Sequence, residues 1–562
     1  MSDERDERGG HRGDVDAWRF VDWVARRGRR SPETTAVVDA RSGGRLTYAA
    51  LDRAVERTAG RLAALGVGEG DHLGAVVGTR LAAARVVHAA ARLGATLVPV
   101  DPRGGAAAVR ERLDRADATA VVCERPTEPV AVDALGDGRP PLVSVDETGE
   151  SVRALSGVEP APVTPATWGL DDRLLVLYTS GTTGDPKPVT LTAGNVLASA
   201  TGSALRLGVV PGDRWLCELP AYHTGGVAPF YRTAIYGTTA VVVERERATA
   251  PAGEPTGRAG FDAERTLRAA HEHGATGVSL VPTQLRRLLD AADGDDGPDA
   301  LPESLRFVLL GGGPVPDALV ERCGRRDLPV RPTYGLTETA SQVTTARPDE
   351  ATAHVGTVGR PLAVTDVLVA REVEAGDESA GEGPPGYRPC EPGTEGEILV
   401  RGPTVTPGYY GNAERTAAAF AGEWLRTGDR GRLVDGRLYV AGRRGDRIVT
   451  GGENVDPETV ADAVRAVDGA RSVAVVGVPD EEWGERVAAL VVRDGDDAMT
   501  HEDALAACRA RLPDHAVPRT VRFVDGLPRT TSGTVDREAA RALLAGDGDD
   551  ADDDSAAERP DG

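Results

Sequence analysis

The sequence of 562 residues predicts an α/β fold: a large N-terminal domain of mostly parallel α/β sheets with a small β subdomain, and a smaller, mobile C-terminal α/β lid domain. Three patterns predict it. Strand-like and helix-like periodicities alternate from near the start to about residue 345, as βαβ units require. From Gly356 to Val440 they give way to short strands between Gly/Pro turns, such as Glu397-Ile398-Leu399-Val400 and Gly436-Arg437-Leu438-Tyr439-Val440. The stretch from Gly442 to about Leu544 is long enough for a domain of its own.

In chain order, residues 1–19 form a charged, frayed start, and residues 20–441 form the large domain. Within it, 47–65 reads as a helix closed by Gly66, followed by a strand over 73–78. A helix over 81–93 is stopped by Gly94, and a strand comes next over 96–100. Leu174-Leu175-Val176-Leu177-Tyr178 reads as a buried strand, and the polar insertion 372–392 as a mobile loop. Residues 442–446, Gly-Arg-Arg-Gly-Asp, are the expected hinge into the lid, 442–545. The Asp-rich tail 546–562 is expected to be disordered. There is no internal repeat.

Charge and composition narrow the function. A net charge of -23 argues against nucleic-acid and anionic-membrane binding. No apolar run reaches membrane-spanning length and the start is charged throughout, so an intracellular, cytoplasmic protein is expected. Cys123, Cys217, Cys323, Cys390 and Cys508 lack metal-ligand spacing and are expected as reduced thiols. Of 65 basic residues only Lys187 is a lysine. The acidic excess and loss of lysine suit a salt-rich cytoplasm, where the Debye length is about 3 Å at 1 M salt; codon bias alone would account for the arginines but not for the acids.

Lys187 closes the run Tyr178-Thr179-Ser180-Gly181-Thr182-Thr183-Gly184-Asp185-Pro186-Lys187 at the end of the buried strand. Small residues let backbone N–H groups approach an anion, and hydroxyls and an ammonium add donors, so the loop suits phosphate. Its spacing is not that of a Walker loop, which makes a P-loop NTPase a poor fit. Taken alone, the composition equally fits a flexible surface loop.

Four more motifs lie further along the chain: Tyr334-Gly335-Leu336-Thr337-Glu338-Thr339, Thr427-Gly428-Asp429, Gly442-Arg443-Arg444-Gly445-Asp446 and Pro528-Arg529-Thr530-Thr531-Ser532-Gly533. With the loop first, and in this order, the chain resembles the adenylate-forming superfamily of acyl-CoA synthetases over about residues 20–544. The resemblance implies ATP, magnesium and coenzyme A as cofactor or co-substrates. Thr179, Ser180, Gly181, Thr182, Thr183, Gly184 and Lys187 would hold the β- and γ-phosphates. Tyr334 would stack on adenine, with Gly312 and Gly335 beside the nucleotide. Thr337 would bind the α-phosphate and Glu338 the metal. Asp429 would take the ribose hydroxyls with Arg443, Gly445 would serve the hinge, and Gly451 and Gly452 would line the thiol tunnel. Lys187, Thr337, Glu338 and His223 are the catalytic set the resemblance implies, acting by positioning and electrostatics rather than as nucleophiles.

Within that superfamily, residues 219–226 and 230–237, Leu309-Leu310-Gly311-Gly312-Gly313-Pro314 and Thr337-Glu338-Thr339-Ala340-Ser341-Gln342 are similar to o-succinylbenzoate-CoA ligases of menaquinone synthesis. This implies an aromatic diacid, with Arg232 on the spectator carboxylate, His223 gating the pocket, and Gly311, Ser341 and Gln342 around the acyl group. As a lone histidine, His223 equally fits a satisfied core residue. Where the family's last motif has Gly-Lys, this chain has Gly533-Thr534. Loss of such a group costs roughly 3 to 4 kcal/mol by analogy with an oxyanion-hole donor, and Arg529 and Arg537 are candidates to replace it. Another aryl- or fatty-acyl-CoA ligase, a carrier-linked adenylation domain and a non-catalytic acyl-adenylate binder stay open. So does a homo-oligomer; no nucleic-acid partner and no membrane insertion are expected.

Overall fold

The computed structural model describes residues 19–136, 140–147, 152–179, 186–244, 261–293, 301–373, 383–443, 448–450, 453–480, 483–495, 499–530 and 534–545. The N-terminal segment up to 18, the tail from 546, Ser180 to Gly184, Gly445, Gly451 and Gly452 lie outside the described residues.

The helices and strands start and stop where local chemistry says they should. Helix Tyr48–Ala64 is capped by Thr47, whose hydroxyl accepts from the Ala50 N–H, and it buries Leu51, Val55 and Leu62 on one face. Helix Leu81–Leu93 ends at Gly94, whose φ of 75° only glycine adopts without strain. Between them, strand His72–Val76 is buried on both faces, which is why it reads as an unbroken apolar run.

Two large sheets form the N-terminal domain. In the eight-stranded sheet, Arg173–Tyr178, Thr96–Pro99, His72–Val76, Ala120–Cys123, Leu142–Ser144 and Arg153–Ala154 run parallel in that order. The nine-stranded sheet has a parallel centre of Val330–Tyr334, Phe307–Leu310, Gly277–Leu280, Arg214–Cys217, Thr239–Val242 and Thr35–Asp39. A shared core containing Leu51, Leu62, Val86, Leu175, Phe230 and Tyr231 joins the two sheets through the helices between them. The strand before the phosphate loop is buried as expected, and the chain leaves that loop as another strand rather than a helix. Pro188–Thr192 returns antiparallel to Arg173–Tyr178.

The β subdomain is a six-stranded sheet, with Asp366–Glu372, Gly396–Arg401, Trp424–Val434 and Arg437–Arg443 antiparallel. Part of the insertion expected as loop is a strand, Tyr387–Pro389, because Tyr387 is buried and its hydroxyl donates to Glu397 at 2.8 Å. Strand Arg437–Arg443 runs through position 442, where Gly442 has φ 107° and Arg443 still pairs with Asp429.

The C-terminal segment has its own core. Along the paired strands Ala470–Asp480 and Gly484–Arg493, Val473, Val475, Val487 and Val491 pack under helices Pro457–Arg465 and His501–Arg509. Ala474, Val476, Val478 and Leu490 pack on the other face, under helix Arg537–Ala545. The five cysteines are free thiols, four of them buried. No helix among the described residues is long and apolar enough to cross a membrane.

Candidate active site

A cleft of about 1180 Å³ opens where strands of both large sheets end, with the C-terminal domain across its mouth. Thr179 and Lys187 meet beside the paired strands Arg173–Tyr178 and Pro188–Thr192: the Thr179 N–H donates to the Lys187 carbonyl at 3.1 Å, and the Lys187 N–H to Thr179 Oγ1 at 3.4 Å. Both residues line the cleft. The Lys187 ammonium lies 5.5 Å from the centre of the Tyr409 ring. The Tyr409 hydroxyl donates to Glu338 Oε1 at 3.1 Å, and burial followed by that carboxylate holds the phenol well above its ordinary range. One tyrosine thus spans the cation and the carboxylate. Sequence reasoning missed it; the only signal was the run Gly408-Tyr409-Tyr410-Gly411 in a stretch otherwise read as turns.

Thr337 and Glu338 line the cleft on a short turn, Thr337–Thr339, fixed by the Thr406 N–H on the Glu338 carbonyl at 2.8 Å. Its geometry explains the glycine before it. A Cβ on Gly335 would stand 1.6 Å from the Ser341 carbonyl oxygen, and the chain then passes through Ala340 and Ser341 at φ 53° and 122°. A carboxylate beside a hydroxyl is an oxygen-donor set magnesium accepts, with phosphate and water supplying its other ligands. Among the described residues no group of three or more His, Cys, Asp or Glu forms a self-sufficient metal cage. Glu338 and Thr337 therefore fit a metal that arrives with its phosphates.

Asp429 is 7% exposed. Its Oδ2 accepts from the Tyr334 hydroxyl at 2.7 Å and its Oδ1 from Arg443 Nε at 3.1 Å. Burial raises the carboxyl above its ordinary range although Arg443 opposes this. Gly335 and Arg443 line the cleft, while Tyr334 and Asp429, the expected adenine and ribose contacts, are bonded to each other outside its lining. A carboxylate has about four lone-pair sites, so both oxygens keep capacity for a diol.

Helix Thr224–Tyr236 carries the acyl end. Its C-terminus is anchored by Arg27, which donates to the Ala234 and Ile235 carbonyls, and by the Tyr48 hydroxyl on Thr233 at 2.7 Å. His223 occupies the N-cap and lines the cleft, edge-on to Tyr222. Two turns on, Arg232 is 3% exposed, lines the cleft, sits 5.5 Å over the Trp215 ring and donates to Ser199 Oγ at 3.2 Å. Burial lowers its pKa, and among the described residues no carboxylate pairs with it. Ser199 passes a hydrogen bond to the Ala340 carbonyl at 2.8 Å, tying Arg232 to the strained turn. Ser341 and Gln342 also line this end. Gln342 Nε2 donates to Thr345 Oγ1 at 2.7 Å, and among the described residues its buried Oε1 has no partner. Gly311 and Gly312 complete the wall; a Cβ on Gly311 would meet Thr333 at 2.8 Å.

From the C-terminal domain, Arg529 and Thr534 line the cleft, and the Thr534 hydroxyl bonds that of Thr530 at 2.7 Å. Arg537 lies elsewhere, in a small pocket with Gly442, Arg443 and Asp456. Among the described residues the cleft lining carries ten basic and four acidic side chains in a protein of net charge -23, a lining that suits polyanions.

Residues 24–410 match the AMP-binding enzyme family and residues 459–534 the AMP-binding enzyme C-terminal domain. A 2-succinylbenzoate–CoA ligase of Bacillus licheniformis is 34% identical over 522 residues, 92% of this chain and 98% of that protein. The o-succinylbenzoate CoA synthetase of Bacillus subtilis, in complex with the acyl-adenylate intermediate OSB-AMP, superposes with a TM-score of 0.80 at 30% identity, over 93% of this chain and 98% of that one. Its complex with ATP and magnesium ion superposes at 0.79 and 30% identity, over 93% and 99%.

Proposed function

The chain belongs to the AMP-binding enzyme family, and from that premise we propose that it is an ATP-dependent acid–thiol ligase that adenylates 2-succinylbenzoate and transfers the acyl group to coenzyme A. In the first step a substrate carboxylate oxygen bonds the α-phosphorus of ATP and pyrophosphate leaves. In the second, the thiolate of coenzyme A bonds the acyl carbon and AMP leaves. Neither step needs a protein nucleophile, so the side chains act by orientation and charge. Lys187 neutralises the departing phosphates and Thr337 orients the α-phosphate. Magnesium, when bound, offsets phosphate charge from a place held by Glu338. Tyr409 fixes that carboxylate. Asp429 and Arg443 take the ribose, and His223 flanks the entering acid.

One observation carries the choice of acid: Arg232 is a buried guanidinium on the cleft wall with no acidic partner among the described residues. Burying a lone charge is costly, and a second substrate carboxylate offsets that cost with a charge-assisted pair. A monoacid such as benzoate does not. Of the two arginines that could stand in for a lysine at 534, Arg529 lines the cleft and Arg537 lines a separate pocket, which favours Arg529.

The experiment is kinetic. Arg232→Met should raise KM for 2-succinylbenzoate at least ~30-fold, about 2 kcal/mol, while leaving KM for ATP within a factor of about two. Equal losses on diacid and benzoate would remove the spectator-carboxylate role.

A further inference from the structure

Helix Ala193–Leu207 reaches both sides of the turn that carries Thr337 and Glu338. It starts directly after strand Pro188–Thr192, where Thr192 and Asn195 cap each other. Asn195 Nδ2 donates to the Pro403 and Val405 carbonyls, both at 2.9 Å, and the next residue, Thr406, holds the Glu338 carbonyl. One turn on, on the same helix face, the buried Ser199 donates to the Ala340 carbonyl at 2.8 Å and accepts from Arg232 Nη2 at 3.2 Å. A hydroxyl inside a helix ordinarily returns its proton to the carbonyl four residues back, as Thr201 does to Leu197 at 2.8 Å. Ser199 instead places its one proton across the fold, on a residue held at φ 53°. Ala340 closes the turn: its N–H donates to the Thr337 carbonyl at 3.1 Å, and the Ser341 N–H to the Leu336 carbonyl at 3.3 Å. A left-handed alanine is costly unless its surroundings hold it, and the serine hydroxyl holds its carbonyl.

We propose that Ser199 is a positioning residue that couples recognition of the acid to binding of magnesium–ATP. With a second substrate carboxylate on Arg232, the guanidinium and Ser199 hold the Ala340 carbonyl, and through it Thr337 and Glu338, in the arrangement that receives the nucleotide. This Arg232–Ser199–Ala340 relay rests on the ligase reading and gives Arg232 a task beyond affinity for the diacid. A carboxylate takes two N–H groups of the guanidinium fork and leaves others for Ser199 Oγ. With its oxygen engaged by the cation, the serine keeps its proton on the carbonyl, and hydrogen bonds in such a chain strengthen one another. Diacid and magnesium–ATP then favour the same arrangement of the turn, so each raises the affinity for the other by the same factor. A monoacid leaves the guanidinium unengaged and gives no such gain.

The test is calorimetric and uses the full-length protein with magnesium and α,β-methylene-ATP, in which a carbon replaces the oxygen whose bond to the α-phosphorus adenylation breaks. Affinity for this analogue is measured with and without saturating 2-succinylbenzoate or benzoate, in wild type, Ser199→Ala and Ser199→Thr. In wild type the diacid should tighten it at least about fivefold, and benzoate should not. Ser199→Ala should abolish that gain, and Ser199→Thr, which keeps the hydroxyl, should restore most of it. A serine with only a structural role would weaken the analogue equally with and without diacid, leaving the gain intact. A gain that survives in Ser199→Ala, an equal gain from both acids in wild type, or a loss in Ser199→Thr as complete as in Ser199→Ala would each overturn the relay. Where Ser199→Ala does not fold, the wild-type comparison of the two acids decides alone. Binding of the acid is read in parallel titrations: a diacid that does not bind at all overturns the 2-succinylbenzoate reading and the relay with it, whereas one that binds without the gain overturns the relay alone.

Discussion

Lys187 is conspicuous as the single lysine, and the structure places it beside a tyrosine that also grips the Glu338 carboxylate. Lys187→Gln should slow adenylation by ~10² to 10³, read as acid-dependent pyrophosphate release, with near-normal melting; an unchanged rate would remove the loop from the chemistry. Tyr409→Phe keeps the ring under the ammonium but loses the hydrogen bond, so magnesium–ATP affinity should weaken about tenfold, about 1.5 kcal/mol. Equal affinity would show that Glu338 needs no such support. The cleft-lining residues legible in the sequence were those in compact motifs, such as Thr337 and Glu338. Tyr409 was not, because its partners Lys187 and Glu338 lie across the fold and the run Gly408-Tyr409-Tyr410-Gly411 is too slight a local signal.

At the level of elements, the buried strands and glycine-stopped helices were legible because apolar runs and helix caps are local signals. Their partners were not. Strand Thr35–Asp39 pairs with Thr239–Val242, some two hundred residues away, and Arg173–Tyr178 pairs antiparallel with the strand that follows it, Pro188–Thr192. The turn after Gly335 shows how tightly an element constrains the site. Gly335→Ala drives a methyl group onto the Ser341 carbonyl, and should cost about 3 kcal/mol; a urea midpoint equal to wild type would contradict that geometry. Helix Leu81–Leu93 carries a second check. Burial, reinforced by Arg92 and opposed by Asp22, lowers His88 to about 4. The unfolded chain then binds a proton below about pH 6.5 that the fold refuses, so this contribution falls as pH drops from 6.5 towards 4, by about 3 kcal/mol in total. His88→Leu should flatten the stability profile in that window; an identical slope would show that His88 is not kept neutral by the core.

The whole molecule joins an acidic exterior to a basic cleft, and two separately cored domains to a shared mouth. The division into cores was legible from the chain's changing periodicity. The concentration of cations at the mouth was not, since arginines are scattered throughout the sequence and only folding collects them. Charge of that kind draws polyanions in, and in the proposed function Arg232 on the cleft wall sorts the acids that enter with them. The most direct measurement is formation of acyl-CoA from 2-succinylbenzoate or benzoate with ATP, magnesium and coenzyme A, monitored alongside pyrophosphate. Turnover with the diacid at least ~30-fold above benzoate in kcat/KM is expected, from a pair of about 2 kcal/mol at Arg232. Equal turnover of both acids, or no diacid-dependent pyrophosphate at all, would contradict it.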